Sequence, residues 1–495
     1  NSDFQNGTTQ TTDTTPRCMA QSPVLKARDV SVTRGTRTVI QKLNLEIFQG
    51  DVICFIGENG SGKTTLIESL VGILPLTTGQ VDWFSEKGES LTIRNYSGTR
   101  EKPYPFGLTL QSDGVCGEEK VMERLSTALK VSGMDCSQLE AKKILEEWGM
   151  SHRSEDRVSQ LSAGLRRRLA VICGMAPAMM CRTPRIVFLD EPSEGLDSFS
   201  KGVLKKWISE LSQHGNTVVM ASHDEEVISC SRRILTIDSG GISESNNTIE
   251  EDIIQERQFL NERHSKIISS LFSWTYSIER RNPVDTIGKA TPAILALLLS
   301  YSVLIGMDTS QAALSNANIG NHLAAALVLT PAFISAVISP AMIRRLSEEE
   351  CGKWWSAVCG PQFRPATSIM ASSILLPLPL TYLSWLVLSG SLPVDSSEEV
   401  LRWLWLPSLV IIDISCAATA LHLLVSDLRR SGAAVASLLL IVLIWPFMEL
   451  VDALSVIMEV GMSSEISIGS PLASIIFASI ISAMVWAVAV IIPDA

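Results

Sequence analysis

The sequence predicts two parts in one chain: an α/β domain in the first half and an all-α domain of six membrane-spanning helices in the second. Three observations carry that expectation. A short Val/Ile/Phe-rich strand at 51–56 runs into a glycine-rich loop and then a helical stretch. A second hydrophobic strand, beginning at Arg185, ends in two adjacent carboxylates, Asp190 and Glu191. From about residue 290 long apolar stretches alternate with short loops, which gives the 495-residue chain a positive mean hydropathy of +0.23.

The first element is the loop. Gly57, Asn59, Gly60, Ser61, Gly62, Lys63, Thr64 and Thr65 follow the strand, and a helical run from Leu66 to Leu74 is ended by Pro75. Strand, glycine-rich loop and helix are the context of a phosphate-binding P-loop. Its glycines let backbone N–H groups curl around phosphate oxygens, and the helix N-terminus adds the positive end of its dipole. Lys63 is expected to reach the β- and γ-phosphates of ATP, and the Thr64 hydroxyl to ligate Mg²⁺. In the second strand Asp190 is expected to hold Mg²⁺ through water. Glu191, one residue on, is placed to polarise an attacking water as general base.

These motifs and four more, in order, resemble those of an ABC-transporter ATPase. Gln111 resembles the glutamine that senses γ-phosphate, meets the metal and contacts the membrane domain. Leu161 to Leu165 resembles the signature motif, whose Ser162 and Gly164 are implied to bind the γ-phosphate of ATP held by a partner subunit. Asp197 matches the D-loop, and His223, after a strand from Thr217 to Ser222, matches the switch histidine. Two positions depart from the family pattern. Ala163 and Leu165 replace a glycine and a glutamine of the signature, and Arg34 stands where an aromatic ring usually stacks on adenine; a guanidinium also stacks on a base. Because the signature completes a neighbour's site, the resemblance implies a homodimer holding two ATP molecules, with a heterodimer as the alternative.

Composition bounds the rest. A net charge of −11 with no Lys/Arg-rich run argues against a nucleic-acid partner. The 10 cysteines contain no CxxC pair and read as thiols of a reducing compartment, without a zinc site or disulfide framework. Residues 1–23 are polar and Thr-rich, the composition of a disordered tail, and carry no apolar core of a secretory signal. The nucleotide-binding domain is expected over 24–238, a polar linker over 239–264 and an interfacial amphipathic helix over 265–285.

The membrane domain is expected over 286–495, with spans at 290–307, 323–343, 367–392, 403–425, 433–452 and 471–492. With the ATPase in the cytoplasm, loops 344–366 and 426–432 lie inside and carry Arg344, Arg345, Lys353, Arg364, Arg429 and Arg430, as the positive-inside rule requires. The loop with Trp354 and Trp355 is the natural piece to dock near Gln111. Asp413 lies mid-span, where a carboxylate faces a partner, a pathway or its own helix. His322 and His422 read as ordinary polar residues. These features place the chain in a cell (inner or plasma) membrane, multi-pass, in contact with membrane lipid.

Within the family, Ser162 to Arg168 resembles the signature of the cytochrome c maturation ATPase, the haem-exporter type. The membrane half resembles that system's membrane subunit at Glu279 to Pro283, Glu348 to Gly360 and Asp427 to Gly432. The resemblance implies a fusion of the two subunits, with a type-2 exporter-like membrane domain. It also implies haem delivery for c-type cytochromes in company with haem-handling membrane proteins. A generic exporter of lipid, drug or antibiotic, and an ATP-driven remodeller of a membrane complex without cargo, are the alternatives.

Overall fold

The computed structural model describes residues 23–238, 241–247, 257, 259–262, 267–281, 345–346, 350–363, 365–376, 378–383, 405–427 and 471–491. Residues 1–22 of the expected tail, the spans at 290–307, 323–343 and 433–452, and His322 lie outside the described residues, as does the His422 side chain; Pro23, the last residue expected in the tail, opens a strand.

The strands are β1 (Pro23–Arg34), β2 (Arg37–Phe48), β3 (Val52–Ile56), β4 (Thr78–Phe84), β5 (Ser90–Asn95), β6 (Gly107–Thr109), β7 (Met134–Asp135), β8 (Ile186–Asp190), β9 (Thr217–Ala221), β10 (Arg233–Asp238), β11 (Gly241–Asn246) and β12 (Asn261–Glu262). The helices of the first half are α1 (Lys63–Leu70), α2 (Val121–Val131), α3 (Gln138–Glu147), α4 (Ala163–Met179), α5 (Ser198–Gln213) and α6 (Glu225–Ile228). Those that follow are α7 (Ile267–Arg281), α8 (Cys351–Cys359), α9 (Pro365–Leu375), α10 (Leu406–Asp427) and α11 (Pro471–Ile491).

Two sheets make the α/β half. An antiparallel sheet has the order β2-β1-β4-β5. The central sheet has the order β11-β10-β3-β9-β8-β6, parallel except where β11 folds back on β10. Every residue of β8 and β9 is buried, as parallel strands covered on both faces require. Trp83 of β4 joins the sheets, its ring 5.2 Å from Phe106 and 5.7 Å from Phe188 of β8. The stretch 239–264 contributes to this half: β11 extends the central sheet, and β12 pairs with β7.

Helix α1 starts at Lys63 and closes at Leu70, four residues short of the sequence expectation. Gly72 takes φ 76, where a left-handed residue stops the helix before Pro75 is reached.

The apolar stripe of α7 exists as expected, but protein covers it. Leu271, Trp274 and Ile278 are buried where α7 packs on α2 and α9. The Trp274 indole donates to Glu119 Oε1 at 2.6 Å, which fixes the helix on α2. Helices α9, α10 and α11 pack in sequence, with Ser479 donating to Asp413 Oδ2 at 2.7 Å. Among the described residues no single helix is long and apolar enough to cross a membrane; the apolar runs are Ser408–Ala420 and Ala473–Met484.

Candidate nucleotide site

Strands β3, β8 and β9 end at one edge of the central sheet, and register decides what meets there. Phe55 and Asp190 both pair with Ala221, so the chain leaves the sheet at Gly57, Glu191 and Ser222 as neighbours. Ligands of open parallel sheets bind at such carboxyl ends.

The loop from Gly57 to Gly62 turns sharply into α1. A Cβ at Gly57 would stand 2.5 Å from the Ile237 carbonyl oxygen, so only glycine lets the loop pass under β10. Lys63 is buried and donates from Nζ to the Gly57 and Glu58 carbonyls at 2.8 and 3.2 Å. Asn59 and Gly60 are exposed, Thr65 is buried within α1, and the Ser61 hydroxyl is enclosed without a partner.

Thr64 donates from Oγ1 to Gln111 Oε1 at 3.3 Å and also reaches the Asp190 carboxylate. The three residues expected around a cation therefore meet. Asp190 is 1% exposed, and its Oδ1 has no hydrogen-bond partner. Burial pushes its carboxyl up from 3.8 to about 6; the Thr64 hydroxyl works against that shift and the neighbouring Glu191 charge adds to it. An orphaned carboxylate oxygen beside a hydroxyl and an amide oxygen fits a hard cation such as Mg²⁺. Among the described residues no group of three or more His, Cys, Asp or Glu is placed to hold a metal, so a cation here takes most of its shell from phosphate and water.

The Asp190 shift has a testable consequence. Its folded pKa lies above the ordinary value, so its ionisation opposes folding: the group's favourable contribution is complete below about pH 4 and is lost as pH rises through about 6. A rise from 3.8 to about 6 corresponds to about 3 kcal/mol. In Mg²⁺-free, nucleotide-free protein, Asp190→Asn therefore raises the thermal midpoint at pH 8, and the gain shrinks as pH falls below 6. Thermal scans across that range read it directly; an unchanged or lowered midpoint at pH 8 contradicts the burial argument.

Glu191 is buried and takes φ 48, a left-handed conformation that costs a non-glycine residue about 1–2 kcal/mol. Its N–H donates to Ala221 O at 2.9 Å. Its Oε2 lies 2.9 Å from Nδ1 of His223, whose side chain is 70% exposed.

The remaining predicted residues form a second group. The exposed Ser162 caps α4, accepting from Leu165 N at 3.4 Å. At Gly164 a Cβ would meet Gly195 O at 2.8 Å, which sets the start of α4 against the turn before α5. Asp197 caps α5 by accepting from Ser200 N and takes a second bond from Arg168 Nη2, each at 2.9 Å. Among the described residues no hydrogen bond or ion pair joins Ser162, Gly164 or Asp197 to the glycine-rich loop, Gln111 or His223.

The docking of the Trp354–Trp355 loop near Gln111 was expected, but the roles of three residues were not read from the sequence. Glu68, buried on α1, pairs with Arg34 and accepts from Lys353 of α8 at 3.2 Å. The guanidinium expected over adenine is thus tied to α1. Glu350, also paired with Lys353, accepts from the Ser112 hydroxyl at 2.5 Å, which docks the start of α8 beside Gln111. The third is Arg167, buried under the site within the stretch that the sequence marks only as part of the signature.

Comparisons with known proteins identify a family. The family model described as ABC transporter matches residues 40–194. The chain is 30% identical over 207 residues to the ergothioneine transport ATP-binding protein EgtV of Helicobacter pylori (strain G27), covering 41% of this chain and 91% of that one. It is 29% identical over 203 residues to the bacitracin transport ATP-binding protein BcrA of Bacillus licheniformis, covering 41% of this chain and 62% of BcrA. It is 26% identical over 278 residues to the macrolide export ATP-binding/permease protein MacB of Aggregatibacter actinomycetemcomitans, covering 55% of this chain and 40% of MacB. A P-loop at the sheet edge, a carboxylate pair beside it and EgtV matched over nearly its whole length lead to one conclusion: the chain belongs to the ABC transporter family, as an ATPase that couples hydrolysis to transport.

Proposed function

We propose that this chain is an ATP-hydrolysing half-unit of a membrane transporter and works as a homodimer, with two ATP molecules held between two copies. The observation that carries this is the separation of the site residues into two groups. The glycine-rich loop, Thr64, Gln111, Asp190, Glu191 and His223 converge at the sheet edge, whereas the exposed Ser162 and the half-buried Gly164 sit at the start of α4. Two-fold pairing lets each copy's Ser162 and Gly164 complete its partner's site.

In this reading the N–H groups of the loop from Gly57 to Thr65 wrap the phosphates. Lys63 exchanges the loop carbonyls for the β- and γ-phosphates. Thr64, Gln111 and Asp190 would hold Mg²⁺, which would neutralise charge on the phosphates. Glu191 accepts a proton from the water that attacks the γ-phosphorus as ADP departs, and His223 holds Glu191 while facing the γ-phosphate. Asp197 fixes the start of α5 beside the signature through Arg168.

The nucleotide-binding domain takes 24–238 and is extended by the strands within 239–264, an amphipathic helix over 265–285 packs its apolar stripe on α2 and α9, and a membrane domain takes 286–495. The ATPase faces the cytoplasm at a cell membrane. Docking of α8 on Glu68 and Ser112 supports a route for motion between the two halves.

The cargo reading is haem, or a carrier of it, delivered for attachment to c-type cytochromes. It rests on the likeness of Ser162 to Arg168, Glu279 to Pro283 and Glu348 to Gly360 to the maturation system. The names of BcrA and MacB support a second reading, transport of a small amphipathic compound. Covalent haem on c-type cytochromes in cells lacking the chain separates the two. Haem-stained cytochromes are expected to return with wild type and not with Glu191→Gln. Staining that never depends on the chain removes the haem reading and leaves the second.

A further inference from the structure

One guanidinium links the parts of the nucleotide site that the motifs name separately. Arg167 lies on α4, five residues after Ser162, and is 4% exposed. Its Nη1 donates to Leu110 O at 2.6 Å, to Gln111 O at 3.3 Å and to Asp113 Oδ1 at 3.0 Å. Its Nη2 donates to Glu191 O at 2.8 Å and to Asp190 O. One nitrogen thus holds the backbone of Gln111 and the other the backbone of Asp190 and Glu191, while the helix that carries the side chain begins at Ser162.

The chemistry suits arginine alone. The carbonyls just past the ends of β6 and β8 need donors once strand pairing stops. A planar, permanently charged fork serves two separated backbones at fixed angles, which an ammonium on a flexible stem does not. Asp113 supplies the counter-charge that a buried cation requires.

Glu191 gives these bonds their importance. Its left-handed backbone is unfavourable in isolation, and in that conformation its carboxylate reaches His223. Fixing the carbonyl before it and its own carbonyl fixes the direction of its side chain.

We propose that Arg167 is a positioning residue for hydrolysis. It sets Glu191 and Gln111 in register with each other and with the start of α4, without touching nucleotide. The proposal rests on the reading of Glu191 as general base.

ATP hydrolysis by the full chain tests it. Arg167→Gln is expected to lower kcat by about 10- to 100-fold, the usual cost of removing a partner that orients a working group, with KM for ATP unchanged. Arg167→Lys, which keeps length and charge but loses the fork, gives the same split and covers the case in which Arg167→Gln does not fold. The deciding arm repeats each change in Glu191→Gln protein. A residue acting through Glu191 leaves that residual rate unaltered, whereas a merely structural residue lowers it by the same factor as in wild type. Equal losses in both backgrounds, a kcat like that of wild type, or a rise in KM that accounts for the loss each overturn the proposal. The Glu191→Gln protein alone reads the underlying assignment: wild-type turnover there removes the general base independently of any result at Arg167.

Discussion

Replacing Glu191 by Gln leaves ATP bound and lowers turnover by about 100- to 10,000-fold, the range that a positioned general base supplies. The amide has the carboxylate's shape, so the left-handed backbone, the bond to Ala221 O and contact with His223 Nδ1 all persist. What it loses is the capacity to accept a proton from water. Sites that hold ATP without consuming it keep two copies paired, so this variant is expected to elute at twice the protomer mass with Mg²⁺ and ATP. Ser162→Arg in the same background places a bulky cation at the exposed start of α4 and returns the protein to the single-copy mass. Turnover near the wild-type rate, or ATP bound without pairing, contradicts the base assignment and the shared site respectively.

Trp355→Ala has the second large effect, and it falls elsewhere. Trp355 of α8 is 0% exposed, with its ring 5.4 Å from Trp354 and 5.5 Å from Trp274 of α7. Trp354 in turn stacks beneath the Arg124 guanidinium of α2 at 3.8 Å. Removing so large a buried side chain costs about 3–5 kcal/mol, since the surrounding helices collapse only partly into the space. Trp355, Trp354 and Trp274 belong to the same continuous apolar core as Trp83, Phe106 and Phe188. Scanning calorimetry of the full chain is therefore expected to show the transition that ATP and Mg²⁺ raise moving down in temperature, with bound nucleotide restoring part of the loss. An unshifted transition denies that Trp355 is a packed part of that core.

The contrast between these two residues shows where reading the sequence succeeds. Glu191 is legible because it follows a hydrophobic strand directly, and its role depends on chain order: strand, carboxylate pair, turn. The loop from Gly57 to Thr65 is legible for the same reason, as are the strands before Gly57 and His223. Trp355 is legible only as an aromatic in a charged loop; its burial depends on α2 and α7, which are distant in sequence. Arg167 is the sharpest case. Arg166, Arg167 and Arg168 stand together in the sequence, yet Arg168 bonds the exposed Asp197 while Arg167 turns inward to carbonyls of Leu110, Gln111, Asp190 and Glu191. Helical periodicity separates adjacent side chains by about 100° and decides that one of them faces the sheet.

Arg34 and α7 follow the same logic. The position of Arg34 before a turn was plain, but its partner Glu68 sits on α1, and only the folding of β1 against α1 brings a buried carboxylate to it. The apolar stripe of α7 was plain as well, whereas its covering by α2 and α9 required helices far away in the chain.

The sequence by itself thus determined the P-loop, the carboxylate pair, the order of the remaining motifs and the family. Each is written in contiguous residues whose backbone geometry is set locally by glycine, strand and helix propensity. Only the tertiary structure decided that Thr64, Gln111 and Asp190 meet, that Glu191 is held in a left-handed turn against His223, and that Arg167 ties these parts together. Those contacts join residues that no local rule relates. They form because burying the sheet forces its strand ends to one edge, where every exposed carbonyl and carboxylate must find a donor or a cation.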